Sequence, residues 1–354
     1  MSKLSIFFHT QESYAEAVFA LFGKGRHHAA KLYADWFRKG HIADVEEWAE
    51  PQALVLVQKM IEATDFALPG LSTAKEEGET AKFLLKFSDG LESESVLIPM
   101  EAGTTICISS QVGCRMGCAF CETGKMGLIR HLSCEEIVAQ VFYARFLLKR
   151  EVRNIVFMGM GEPFDNYDAV MRAIAVLTDS GGMGFGPSRI TVSTSGKVDA
   201  ILRMAKEADP ALNLAVSVNA PTDEIRNRIM PVNRQWNMAE LRSAMVEYCR
   251  HPRREILVEY VLLQGINDSL VAADALAEYL RDLKVKVNLI PYNPQTRDRF
   301  APPSEEQREA FLKRMRELGY QTLLRGTKGQ KIMAACGQLG NVQVRRTLIQ
   351  SSSL

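Results

Sequence analysis

The chain has no run of about 18 consecutive apolar residues, the length that a membrane-crossing helix requires. Its start, MSKLSIFFHTQESY, carries an apolar run too short for the hydrophobic segment of an export signal. A surplus of either charge is also missing: 43 Lys and Arg stand against 42 Asp and Glu, for a net charge of +1. That balance excludes a globally basic surface, so any contact with a polyanion must come from local patches. Cysteine is scarce and odd in number, seven in 354 residues, without the dense spacing of a disulfide scaffold. We expect no membrane partner and a reducing, cytoplasmic setting, where clustered cysteines serve metal binding or catalysis. No second C-x2–4-C pair accompanies the one cysteine cluster, so the paired framework of a structural zinc site is absent too.

What is present is ample for a large domain plus a small one, with 47% of residues hydrophobic. Residues 11–63 read as three helices, with apolar residues recurring at three and four and Gly23 and Gly40 as stops. LPGLSTAKEEGET, at 68–80, reads as a linker. The two alternating runs around the Ser-Asp-Gly turn at 88–90 predict a β-hairpin. We therefore place a helical accessory domain at 1–75, the hairpin and its entry at 76–103, and a third region at 104–350.

That third region alternates strand and helix. Six apolar, β-rich runs (TTICISS, NIVFMG, RITVST, NLAVSV, EILVEYVLL and VNLIP) are separated by amphipathic stretches. The pattern predicts an α/β fold with a parallel sheet covered by helices, doubly wound or closed into a barrel. Either architecture places its chemistry at the carboxyl ends of the strands. Those ends carry, in order, three cysteines, Glu162 in GMGEP, Ser193 and Ser195 in STSG, Ser217 and Asn219 in SVNAP, and Asn293 in PYNP. Any one of these is ordinarily a turn or a helix cap. Five strand ends behaving alike point to a polar ligand site.

The cysteines are Cys114, Cys118 and Cys121, in the loop after the first strand. C-x3-C-x2-C supplies three corners of a four-iron cluster and leaves one iron open to a substrate. A zinc site completed by His131, or plain buried cysteines, are the competing readings.

C-x3-C-x2-C after the first strand of a β/α barrel resembles the radical S-adenosylmethionine (SAM) superfamily. CISSQVGC, GMGEP, STSG, EYVLLQGINDS, NLIPYNP and AACGQLG, in that order, narrow the resemblance to the RlmN/Cfr family of RNA adenosine methyltransferases, and GKGRHHAAKLYADWF is similar to that family's accessory domain. The resemblance implies a radical SAM partial (β/α)6 barrel with a small N-terminal helical domain. It implies one [4Fe-4S] cluster on Cys114, Cys118 and Cys121, and SAM as both methyl donor and radical source. The chemistry needs a radical because carbons 2 and 8 of adenine are electron-poor and do not attack an electrophilic methyl group.

In that family's scheme Cys336 accepts the methyl group, its methylene radical adds to the base, and Cys107 resolves the resulting thioether by a transient disulfide. Glu94, thirteen residues before Cys107, matches the acidic residue that removes the proton from the adenine carbon. Gly161 and Glu162 match the stretch that binds the SAM amino group, and Ser193 and Asn293 match two further contacts. Ser217, Val218 and Asn219 stand where the family reads Ser-Leu-His, and Lys331, Met333 and Glu122 also depart from the usual pattern. By residue type alone, Cys107 and Cys336 would be buried structural thiols, as Cys134 and Cys249 are.

The resemblance implies RNA as partner, carbon 2 of an adenosine in large-subunit 23S rRNA and also tRNA, an electron donor such as flavodoxin, and a monomer. Methylation of carbon 8, a radical SAM enzyme acting on another substrate, and an iron–sulfur electron carrier are the alternatives. Candidate RNA contacts are Lys24, Arg26, His27, His28, Lys31, Arg38 and Lys39, the KMGLIRH stretch, Arg253, Arg254, Arg345 and Arg346, against the plain reading of solvated charge.

Overall fold

A computed structural model of the chain describes residues 3–101, 103–295, 299–326 and 328–340. Three helices come first: α1 (Gln11–Phe22), α2 (Arg26–Lys39) and α3 (Pro51–Ala63). Thr10 opens α1 with a capping box to Ser13. Gly23 and Gly40 close α1 and α2 in the left-handed region, as the sequence predicts.

The helices α4 (Glu122–Met126) and α5 (Cys134–Phe142) follow much later in the chain, and α5 is where the N-terminal helices dock. Trp36 of α2 stacks on Phe142 with ring centres 5.0 Å apart, and Phe7 meets the same ring edge-on at 5.2 Å. Such pairs add about 0.5–1.5 kcal/mol each beyond the area they bury.

One ten-stranded sheet runs through the rest in sequential order. Its strands are β1 (Gly70–Glu77), β2 (Thr80–Lys86), β3 (Glu92–Met100), β4 (Gly103–Cys107), β5 (Val152–Phe157), β6 (Ile190–Thr194), β7 (Asn213–Ser217), β8 (Ile256–Leu262), β9 (Val285–Pro291) and β10 (Thr322–Leu324). The strands β1 to β4 pair antiparallel, and β4 to β10 pair parallel. The predicted hairpin is β2–β3, embedded in a longer meander.

Two readings of the sequence are corrected here. The stretch expected to be a linker contains the whole of β1, an exposed strand at the sheet's end whose polar and charged residues suit an edge. A seventh parallel strand, β10, follows the six expected; at three residues it is too short to show a period.

The helices α6 (Tyr167–Thr178), α7 (Val198–Glu207), α8 (Asp223–Ile229), α9 (Met238–Tyr248), α10 (Leu270–Tyr279) and α11 (Glu305–Glu317) lie between or after the parallel strands. Alternation along β8 shows how the sheet is used. Val258 and Tyr260 are fully buried on the helix side, where Tyr260 stacks on Phe311 of α11. Fully burying a side chain such as Phe311 is worth roughly 1.5–3 kcal/mol. Leu257 and Glu259, one residue out of phase, face a cavity of about 650 Å³. Thr105, Val156, Thr191, Asn288 and Leu323 line the same cavity from β4, β5, β6, β9 and β10, so the parallel part of the sheet wraps around it as a partial barrel. Among the described residues, no helix is long and apolar enough to cross a membrane.

Candidate active site

The loop leaving β4 is pinched at its base by a two-stranded ribbon, Gln111–Val112 against Arg130–His131. Gly113 has φ 78°, and a Cβ there would lie 1.9 Å from the Gly127 carbonyl oxygen, so this approach admits glycine alone. The Cys114 amide donates to that carbonyl at 3.1 Å. Cys114, Cys118 and Cys121 all line a second cavity, of about 170 Å³.

Burial pushes all three thiols up, Cys118 to about 12. Buried thiols of this kind ionise against a cation, and an iron–sulfur cluster supplies one. Among the described residues no three His, Cys, Asp or Glu side chains converge on a single metal ion. A cubane takes each thiolate on a different iron, so it requires three sulfurs lining one cavity, which is what these residues offer. His131, the fourth ligand that a zinc reading would need, is exposed and bonds Gln111 at 3.0 Å.

Gly161, Glu162, Ser193, Ser195, Ser217, Asn219 and Asn293 line the same cavity from the strand ends. Val218 is buried in the core, and its carbonyl accepts from Arg226. Gly161 has φ 105°, and a Cβ there would stand 2.6 Å from the Gln111 side chain. Its position presses GMGEP against the cysteine loop. Glu162 accepts from the Ser195 amide at 2.7 Å and the Phe164 amide at 3.2 Å. Burial raises its carboxyl pKa, against these bonds.

Ser195 Oγ, Asn293 Oδ1 and Glu259 Oε1 are buried without a hydrogen-bond partner among the described residues. Orphaned polar atoms around a cavity fit a polar ligand such as SAM. Asn219 adopts φ 56°, a left-handed conformation that Asn tolerates. Its Oδ1 is already committed to the Val261 amide at 2.8 Å.

Cys107, at the end of β4, and Cys336 line the larger cavity together. Cys336 also lines the smaller one, as do Glu259, Asn293 and Arg325, so the two cavities adjoin. All seven cysteines are free, so the expected Cys107–Cys336 disulfide is not formed in this structure. Burial pushes the Cys107 thiol to about 12, with Cys336 adding to the rise and Arg325 opposing it.

The segment bearing Cys336 is tied to the cysteine loop. The Glu122 amide donates to Gly337 O at 2.8 Å, Thr123 Oγ1 donates to Leu339 O at 2.6 Å, and Asn293 Nδ2 donates to Cys336 O at 3.0 Å. Glu94 lies outside both cavity linings. Its Oε1 accepts from the Gly340 amide at 3.0 Å, and its Oε2 is 3.0 Å from the Lys82 ammonium.

Four residues at or beside the site were not singled out as site residues in the sequence. Arg226 is fully buried and donates to the carbonyls of Ser195, Ser217 and Val218 and to Asn233 Oδ1. Arg325 sits among Cys336, Glu259 and Cys107. Glu259 is pushed up to about 7 by burial, although Arg325 and a hydrogen bond from Asn288 oppose the shift. Its signal was legible: a Glu inside the otherwise apolar run EILVEYVLL. Lys82 is the fourth.

The basic candidates are mostly engaged within the chain. Arg26 forks onto Glu16, Lys31 and Lys39 share Asp35, and Arg38 donates to Ser180 O. Lys125 pairs with Glu122, and Arg130 with Asp89 and Glu136. Arg254 is buried and donates to the Met204, Ala205 and Ala208 carbonyls near the end of α7. Lys24, His27 and Arg253 remain exposed, His28 is half-buried with its ring near Trp48, and Arg345 and Arg346 lie outside the described residues.

The profile described as Radical SAM superfamily matches residues 108–275. The probable dual-specificity RNA methyltransferase RlmN 1 of Protochlamydia amoebophila is 53% identical over 343 residues, covering 97% of this chain and 96% of the relative. The dual-specificity RNA methyltransferase RlmN of Syntrophobacter fumaroxidans is 42% identical over 308 residues, covering 86% and 90%. The crystal structure of a radical SAM methyltransferase from Sphaerobacter thermophilus superposes with a TM-score of 0.87 at 38% identity, covering 95% of this chain and 98% of that one. With its cysteine loop, its polar strand ends and this full-length likeness, the chain belongs to the RlmN family of radical SAM methyltransferases.

Proposed function

We propose that the chain methylates carbon 2 of an adenosine in RNA, with Cys336 carrying the one-carbon unit and Cys107 releasing it. The observation that carries this reading is the cavity that Cys107 and Cys336 share, adjoining the one lined by Cys114, Cys118 and Cys121. Two thiols serving packing alone have no need of a common cavity.

Cys114, Cys118 and Cys121 would hold the cluster, and Glu162, Ser193, Ser195, Ser217 and Asn293 would hold SAM. When bound, the cluster would supply a single electron, one SAM the methyl group, and a second SAM the radical that takes a hydrogen atom from that methyl group. Cys336 carries the transferred carbon as a thioether, which joins the enzyme to the adenine carbon. The Cys107 thiol, kept protonated at neutral pH by burial, resists premature oxidation. Arg325, beside both sulfurs, favours the thiolate when it is needed. Attack of the Cys107 thiolate on the Cys336 sulfur breaks that sulfur's bond to the bridging carbon and forms a disulfide; Glu94 removes the adenine proton, the released carbon takes up a proton to become the methyl group, and an external dithiol reductant reopens the disulfide.

The relatives are named as dual-specificity RNA methyltransferases, and we read the two substrates here as large-subunit rRNA and tRNA. A flavodoxin-like electron donor, a monomeric state, a cytoplasmic location and an accessory domain at 1–75 complete the proposal. Nucleoside mass spectrometry of rRNA and tRNA incubated with reconstituted enzyme, SAM and reductant tests it. The expected product is 2-methyladenosine; 8-methyladenosine, or unmodified RNA with active SAM cleavage, would overturn the assignment.

A further inference from the structure

We propose that Lys82 is a positioning residue: with Glu94 it forms a buried latch that holds both ends of the segment carrying Cys336 and so sets where that thiol stands. Lys82 lies on β2 and Glu94 on β3, where their cross-strand partners are Val96 and Leu84. The two are thus diagonal neighbours on one face of the hairpin, within reach for long side chains. Their charged ends stand 3.0 Å apart, with the side chains 10% and 9% exposed.

From this pair one bond reaches each end of the distant segment. The Lys82 ammonium donates to the Met333 carbonyl at 3.0 Å, three residues before Cys336. Glu94 Oε1 accepts from the Gly340 amide at 3.0 Å, four residues after it. The thiol therefore stands on a loop whose two feet rest on one ion pair.

Two features mark this as more than packing. Met333 has φ 53°, a left-handed conformation costing roughly 1–2 kcal/mol for a side chain of this kind. Such strain persists where the surroundings over-determine it, and Lys82 bonds the carbonyl of that very residue. A buried ion pair is also a poor way to gain stability, because desolvating two charges offsets most of their attraction and an apolar pair of similar volume does as well. Its use here fits a demand for position.

The latch touches both Glu94 oxygens, Oε1 through the Gly340 amide and Oε2 through the Lys82 charge. If Glu94 is the base, which rests on the function proposed above, the pair that positions the Cys336 segment also positions the base, and Oε2, which accepts no hydrogen bond among the described residues, is the oxygen left to take the proton.

The test is the alkylation rate of Cys336 by iodoacetamide in the full-length protein produced under iron depletion, so that Cys336 keeps a free thiol, read by peptide mass spectrometry with Cys134 as internal control. Cys134 is buried in α5, with its sulfur against Phe7 O, and reports general loosening. Loss of a buried charge-assisted contact should speed alkylation of Cys336 in Lys82→Met about tenfold, leave Cys134 unchanged, and be reversed to within about twofold in Lys82→Arg. An unchanged Cys336 rate, a parallel rise at Cys134, or no rescue by Arg would overturn the proposal. Should Lys82→Met fail to fold, Glu94→Gln removes the charge and keeps an acceptor for Gly340; it must also speed Cys336, and an unchanged rate counts against the latch. Alkylation needs neither SAM nor RNA, so its outcome is separate from that of the methylation assay.

Discussion

Arg226 offers the sharpest quantitative test of how the site is held. Its guanidinium donates to Ser195 O at 2.6 Å, Ser217 O at 3.1 Å, Val218 O at 3.1 Å and Asn233 Oδ1 at 2.8 Å, and the side chain is wholly buried. Three of these acceptors are main-chain carbonyls at the ends of β6 and β7, where the polar rim begins. Arg226→Met leaves those carbonyls without their donor, at about 1–3 kcal/mol each. Against this, the variant no longer desolvates a guanidinium, and that relief returns several kcal/mol. The expected net loss is about 3 kcal/mol of unfolding free energy, measured by urea unfolding of the cofactor-free protein. Lys at this position cannot satisfy the same fork and should recover less than half of the loss. Equilibrium dialysis of the cluster-loaded variant should show SAM binding weakened by about tenfold or more, because Ser195 and Ser217 lose their fixed carbonyl frame. A loss below about 1 kcal/mol with unchanged SAM binding would refute the claim that Arg226 organises the rim.

Three further outcomes are expected. Glu259 holds its proton to a pH of about 7 instead of 4.5. The folded state therefore binds more protons than the unfolded one between those values, and stability falls as pH rises through the window, by about 3 kcal/mol in total; Glu259→Gln should abolish that slope in pH-dependent unfolding of the cofactor-free protein, and an unchanged slope would remove Glu259 as its source. Cys114→Ala, Cys118→Ala or Cys121→Ala should each lose most bound iron and the cluster's visible absorbance, and full reductive SAM cleavage in any of them would overturn the ligand assignment. Cys107→Ala should accumulate a protein–RNA adduct that thiols do not release, since a thioether resists the exchange that opens a disulfide, whereas Cys336→Ala should give neither adduct nor labelled protein from methyl-labelled SAM.

The local signals in the sequence were those of short range. Helix periods and glycine stops in residues 11–63, the Ser-Asp-Gly turn, and the six strands from β4 to β9 could be read because each is set by residues within one element. The cysteine loop was legible for the same reason: its three sulfurs lie within eight residues, and Gly113 and Gly161 mark the tight approaches around it. β1 was hidden because an edge strand is as charged as a linker, and β10 because three residues carry no period. By spacing alone, the sequence could not say that Cys107 and Cys336, 229 positions apart, line one cavity; the family resemblance joined them, and the wrapped sheet brought them together.

The remaining features depended wholly on tertiary structure. Arg226, Arg325 and Lys82 act on groups contributed by distant elements, so nothing in their own neighbourhoods distinguishes them from surface cations. The fold also adds to the reading of charge: Arg26, Lys31 and Lys39 look like a basic patch in sequence, and each is also paired with a carboxylate on the N-terminal helices. A side chain's type is written in the chain, but whether its charge is spent inside the protein or left for a partner depends on what folding places beside it.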